Sequence, residues 1–445
     1  FVLLFFFFFF TLKLYKIKTY FFFFFFFSIF NFMIMNRIVL FFILIFITDN
    51  IYSQGFITAK NIKVDFSGFV RNDFIYDSRR NVDACDQLID LYPKKPEYDA
   101  NGEDINAKGS AKILNTFTRF GTRFTGLEIG DAKISALVEI DFTAGSMIPA
   151  LRLRHAYTLF TWPKSKLLFG RTWHPTFVDK VYPSMLNENT GLPYHVFNRS
   201  PQVRYTYSVT PGIDLMAAAV YQFEYNNYGP DGKHYKYQRD AVVPNLHAQI
   251  QFYNANWVVG AGYDWKSIMP RTSTTGTAGK FVTNERLNTS AAMAYVKFSK
   301  EKLVFSTKTM FGQNLSESLM PGGYAVASTD PVTGYETYTP LNHWYNWVNI
   351  VYGTKWKAGI FAGHLKNFGA AEKNVGEIYA MAPDADTMFK VSGMLSFNYK
   401  NFMIGTELAW NTAAYGDIDK SDFAKVKNTQ KVTAFKNMIA VAYNF

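Results

Sequence analysis

The segment Ala132-Lys133-Ile134-Ser135-Ala136-Leu137-Val138-Glu139-Ile140-Asp141-Phe142 is built on a period of two. Ile134, Ala136, Val138, Ile140 and Phe142 fall on one side of an extended chain; Lys133, Ser135, Glu139 and Asp141 fall on the other. That is the pattern of a strand with one apolar and one polar face. The end of the sequence repeats it. Phe435, Ile439, Val441, Tyr443 and Phe445 oppose Lys436 and Asn444, and Phe402, Ile404, Leu408 and Trp410 oppose Glu407 and Asn411.

Working outward, the alternation predicts sixteen strands, near 62–75, 113–125, 132–143, 151–162, 166–174, 201–209, 213–224, 244–253, 257–266, 286–299, 302–312, 342–352, 355–365, 387–399, 402–411 and 430–445. Most run for about nine to fourteen residues, enough for a tilted strand to cross a bilayer. The connections alternate. Short ones (Gly126–Asp131, Pro163–Ser165, Thr210–Gly212, Asn254–Asn256, Lys300-Glu301, Gly353-Thr354, Lys400-Asn401) separate long ones at 76–112, 144–150, 175–200, 225–243, 267–285, 313–341, 366–386 and 412–429. A soluble sandwich has no reason to gather its long loops at one end, whereas an outer-membrane barrel does. An even strand count closes the sheet, so no unpaired backbone edge meets lipid. The expectation is an all-β, transmembrane, antiparallel sixteen-stranded barrel around a water-filled lumen. Trp162, Phe252, Phe298, Tyr352, Trp356, Tyr399 and Phe402 crowd the short-turn end as an interfacial girdle.

Composition agrees. Among 445 residues, 18% are aromatic and 18% charged, too many aromatics for a disordered chain and too many charges for a helical membrane protein. A single cysteine, Cys85, excludes a disulfide framework and lies in a polar loop. The first 53 residues hold 19 of the 45 Phe. Residues 1–34 are expected to be translated upstream sequence without structure. Residues 35–53 are expected to be a secretory signal peptide, with a basic start at Met35-Asn36-Arg37 and an apolar stretch at Ile38–Ile47. The single remaining domain is then 54–445. Without Lys13, Lys16, Lys18, Arg37 and Asp49, the 46 basic and 35 acidic residues become 42 and 34. No basic run or nucleic-acid motif accompanies that excess, so a nucleic-acid partner is not expected.

Between Leu151 and Ser208 three motifs stand together: Arg152-Leu153-Arg154-His155-Ala156-Tyr157, Leu168-Phe169-Gly170-Arg171-Thr172-Trp173-His174-Pro175 and Ser200-Pro201-Gln202-Val203-Arg204-Tyr205. With Arg119-Phe120-Gly121-Thr122-Arg123-Phe124, this region resembles the phosphate- and dicarboxylate-type porins of Gram-negative outer membranes. The resemblance implies a trimer of sixteen-stranded barrels whose third loop, here about 175–200, folds into the lumen as a constriction. A terminal aromatic such as Phe445 looks like the signal read by the outer-membrane barrel assembly machinery.

If apolar residues face lipid, parity places Arg71, Arg119, Arg123, Arg152, Arg154, Arg171 and Arg204 inside, on one basic wall of the first six strands. Glu139 and Asp141 would face them, with Asp179 and Glu188 in the inserted loop. His174 and His195 flank that loop. Such a wall can orient polar solutes and favour anions, or can pair internally and hold the loop. The seven histidines fit no metal spacing, no G-x-S-x-G occurs, and Asp99–Asp104 lacks the distal Glu of a calcium loop. No enzyme, cofactor or metal is expected. The expected function is passive diffusion of small hydrophilic solutes, anions among them, across the outer membrane. A substrate-specific anion or nutrient channel is an alternative; a surface adhesin or structural barrel acting through its external loops is another.

Overall fold

The computed structural model describes residues 62–445, apart from 86, 146–147 and 188–190. The upstream segment, the signal peptide and Glu188 lie outside the described residues. Sixteen long strands form, one at each predicted place: β1 Lys63–Asp77, β2 Arg119–Ile129, β3 Ala132–Asp141, β4 Arg152–Thr161, β5 Ser165–Trp173, β6 Arg199–Thr210, β7 Ile213–Val220, β8 Asn245–Tyr253, β9 Trp257–Ile268, β10 Leu287–Lys300, β11 Leu303–Gln313, β12 Glu336–Gly353, β13 Trp356–Ala370, β14 Ala385–Tyr399, β15 Phe402–Asp419 and β16 Lys425–Asn444. Each pairs antiparallel with the next. The ring closes where β1 meets β16, from Phe69 opposite Asn444 to Asp77 opposite Lys436. At that seam Gly68 and Phe445 exchange backbone hydrogen bonds of 3.1 and 3.0 Å. A side chain at Gly68 would sit 2.2 Å from the Arg119 carbonyl, so only glycine lets the strands approach.

The alternation sorts residues as expected. On β16, Phe435, Ile439 and Tyr443 are exposed outward, while Ala434, Lys436, Met438 and Ala440 are buried inward. Of the girdle, Phe252, Tyr352, Trp356, Tyr399 and Phe402 are exposed at the short-turn end. Among the described residues no helix is long and apolar enough to cross a membrane; the crossing elements are strands.

Three expectations need correction. The long-loop end holds more sheet than the alternation indicated. β15 and β16 extend to Asp419 and back from Lys425, so most of the expected 412–429 loop is hairpin. There Asp417 and Asp419 face Lys427 and Lys425 on one side and Ile418 faces Val426 on the other, but a bulge between Tyr415 and Asp417 breaks the alternation, so the sequence shows no continuous period. β2 is interrupted above: Ser110–Leu114 pairs with the upper part of β1, and the chain bulges before Arg119, turning Phe117 into the interior. Finally, the lumen is not simply water-filled. Leu88, Ile89, Leu91 and Tyr92 of the first loop, Phe177, Val181, Leu192, Tyr194 and Phe197 of the third, and Leu315, Leu319 and Met320 of the sixth meet in one apolar cluster. It packs on Tyr345, Trp347, Phe361 and Leu365, which point inward from β12 and β13. Apolar area removed from water is worth about 25 cal/mol per Å², which favours this infolding over loops standing free in solvent.

Candidate pore constriction

The third loop (174–198) leaves β5 and returns to β6 across the barrel, and the far wall holds it. Arg71 Nη2 donates to the Leu186 carbonyl at 2.6 Å. The Asn187 N–H donates to Glu407 at 2.7 Å, and the Ser184 N–H donates to Asn349 at 2.9 Å. The Lys308 ammonium donates to the Thr176 carbonyl. The loop is therefore a fixed crossbar, and its partners lie on β1, β11, β12 and β15.

On the near wall, β3 and β4 bring four predicted residues together. Asp141 accepts two hydrogen bonds from Arg152, at 3.1 and 2.7 Å, and one from Arg154 at 2.8 Å. Arg154 also donates to Glu139 at 2.7 Å, and Arg119 lies 3.6 Å from the same carboxylate. The Arg119 guanidinium stacks over Phe69 and Phe117 at 5.0 and 4.8 Å. β4 carries a bulge opposite Glu139 and Ile140, which turns Arg154 and His155 to the same side and makes this density of charge possible.

The other predicted residues are distributed differently. Arg204 donates to the Trp173 carbonyl at 2.5 Å and lies 3.8 Å from Asp179, whose side chain is 56% exposed and so borders open space. Arg171 pairs with Glu224 of the fourth loop rather than with a third-loop carboxylate. His174 caps the short turn Pro175–Phe177 and lies 3.8 Å from Asp264, while His195 accepts from Trp347 Nε1 at 3.2 Å. Arg123 is exposed lower on β2 and joins no ion pair among the described residues.

Two features were missed. Arg199 is fully buried, 4.1 Å over the Trp173 ring and 4.8 Å over Phe197. Its Nε and Nη2 have no hydrogen-bond partner. It is the first residue of β6, two positions before the expected strand at 201–209, so parity could not assign it. The cations also do not form a single wall. Lys266, Lys308, Lys390 and Lys436 are buried on β9, β11, β14 and β16. Lys266 meets Glu317 at 2.5 Å and Lys436 meets Asp90 of the first loop. These lysines alternate with apolar residues as regularly as the arginines do, so the signal was present in the sequence. Asp99, in the stretch compared with a calcium loop, accepts from the N–H groups of Asn101 and Glu103 in an ordinary turn.

No protein-family model and no curated protein matches the sequence. Solved structures do match in shape. The outer membrane channel DcaP of Acinetobacter baumannii superposes with a TM-score of 0.62 at 16% identity, over 88% of this chain and 99% of that one. The in-vitro folded OmpT outer membrane protein of Vibrio cholerae, in its trimer form, gives 0.51 at 13%, over 86% and 100%. The anion-selective porin from Comamonas acidovorans gives 0.51 at 9%, over 86% and 100%. At these identities the likeness is one of fold: this chain is a transmembrane β-barrel built like those of outer-membrane channels.

Proposed function

We propose that the protein is an outer-membrane porin of a Gram-negative bacterium, passing small hydrophilic solutes by diffusion and favouring anions. The observation that carries this is an interior lined with charge inside an apolar exterior, narrowed by a crossbar beside which Arg199 and Lys308 have no carboxylate partner among the described residues. A lumen with low-dielectric walls and surplus cations concentrates anions at its narrowest point. The apolar packing of three loops favours a narrow, substrate-specific passage over a wide one, in line with the resemblance to phosphate- and dicarboxylate-type porins. The names of the similar structures, a channel, a trimer form and an anion-selective porin, support the same reading, including a homotrimer in outer-membrane lipid. Phe445, paired into the seam, is available as the signal for the barrel assembly machinery.

Single-channel recording in a planar bilayer with a salt gradient tests it. Changing Arg152, Arg171 and Arg204 together to Gln should move the reversal potential toward cations. That shift should shrink near 1 M salt, where the screening length falls to about 3 Å. A wild-type barrel that folds and inserts but conducts nothing would overturn the channel reading in favour of a plugged barrel acting through its outer loops.

A further inference from the structure

The first loop (78–109), with Asp77, Ser110 and Lys112 at its ends and Gly145 of the second loop, lines a half-open cavity of about 750 Å³ at the long-loop end. Its lining carries five basic residues, Arg79, Arg80, Lys94, Lys108 and Lys112, against three acidic ones. Two of the acids are already engaged. Asp77 and Asp90 lie 3.5 and 3.6 Å from Lys112, and Lys436 of β16 reaches both. Arg80, Lys94 and Lys108 make no ion pair among the described residues, and all three are exposed.

Arg79 is the independent sign of a ligand. It is only 7% exposed. Its Nη1 donates to Asp104 at 2.6 Å and its Nε to the Lys94 carbonyl at 2.9 Å, but Nη2 has no partner. A buried guanidinium N–H left unpaired costs on the order of 1–3 kcal/mol; Nη2 is covered in this state, and a small turn of the side chain toward the cavity would let an oxyanion there relieve that cost. Asp104 does not compete for that site. Burial pushes its carboxyl up, but the Arg79 hydrogen bond and the N–H groups of Glu97 and Asn106 bring it below the usual carboxylate range, so it stays ionised and engaged.

The cavity also touches the constriction. Cys85 lines it, and the Cys85 sulfur accepts from Arg152 Nη1 at 2.8 Å. Arg152 is the guanidinium that clamps Asp141 on β4. One thiol thus stands between the outer cavity and the arginines of β2–β6.

We propose that the first-loop cavity binds a small anion bearing a carboxylate or phosphate group and acts as an antechamber that passes it to Arg152. The binding stands on the cavity alone; the onward passage rests on the channel reading above.

Cys85 is the only cysteine, so the full-length protein carries its own probe. Its rate of modification by an impermeant, negatively charged methanethiosulfonate should fall several-fold with millimolar succinate or inorganic phosphate. Comparing the two tells a carboxylate site from a phosphate site. Glycerol, and chloride at matched ionic strength, should not protect. Lys94→Gln with Lys108→Gln, both at exposed positions, should abolish protection and weaken calorimetric binding of the protecting anion by about tenfold, or about 1.4 kcal/mol. Calorimetry decides the matter if the thiol does not react. Equal protection by chloride, or equal affinity in wild type and variant, would overturn the binding site. Anion binding without any conductance would leave the antechamber's ligand standing and sink the channel reading. In a conducting barrel, a Cys85 adduct that leaves current unchanged, against a Cys85→Ser control, would refute the passage to Arg152.

Discussion

Asp141 has no exposed surface and accepts from two guanidiniums and the Thr143 hydroxyl. Changing it to Asn keeps the shape but leaves Arg152 and Arg154 facing each other without their shared anion. Breaking a buried ion pair from one side costs about 3–5 kcal/mol. Asp141→Asn should therefore lower the temperature at which the folded, fast-migrating band converts to the unfolded one in detergent gels. A conversion temperature within a degree of wild type would mean that water already screens this cluster. Asp141, Arg152 and Arg154 were legible in the sequence because parity and strand order place β3 against β4. Parity also placed Arg171 inside, but its pairing was not legible: its partner, Glu224, lies 53 residues on in a loop with no period to read. Arg199 was missed because strand parity has no reference at the junction with a folded loop.

At the scale of the element, the third loop is positioned by its partners rather than by its own sequence. Strand alternation is a local property and survives reading without a structure. The infolding of the first, third and sixth loops is decided by contacts such as Asn187 to Glu407, 220 residues apart, and leaves no periodic trace. The loop's insertion followed from family resemblance, whereas its packing with two other loops did not. Removing two anchors, Glu407→Ala and Asn349→Ala, should loosen the crossbar by about 2–4 kcal/mol, given the usual worth of charged and neutral hydrogen bonds. The barrel should still assemble, but recordings should show flickering and larger sub-states, and the 174–198 segment should become open to proteases. Quiet, wild-type recordings would show that the apolar cluster alone holds the loop.

For the whole molecule, the outward face is the solvent boundary that lipid enforces. Ile439 sits outward on β16 between Phe74 of β1 and Thr406 of β15, next to the seam. Arginine there should cost about 2–4 kcal/mol if the site lies at the midplane. The inward Met438→Gln, one residue away, should be milder. Urea titration of the barrel refolded into lipid vesicles measures both, and equal costs would invalidate the lipid-facing assignment of β16. The β1–β16 seam bears equally on how the gene can change length. An open sheet can absorb an extra residue by sliding its edge strand, but a ring has no edge to slide. One codon gained within β1 would turn every later side chain of that strand inside out, and both neighbours resist the shift. Insertions and deletions should therefore be tolerated in the outer loops and purged from the strands, so that the barrel diversifies by growing loops while the number of residues between its rims stays nearly constant.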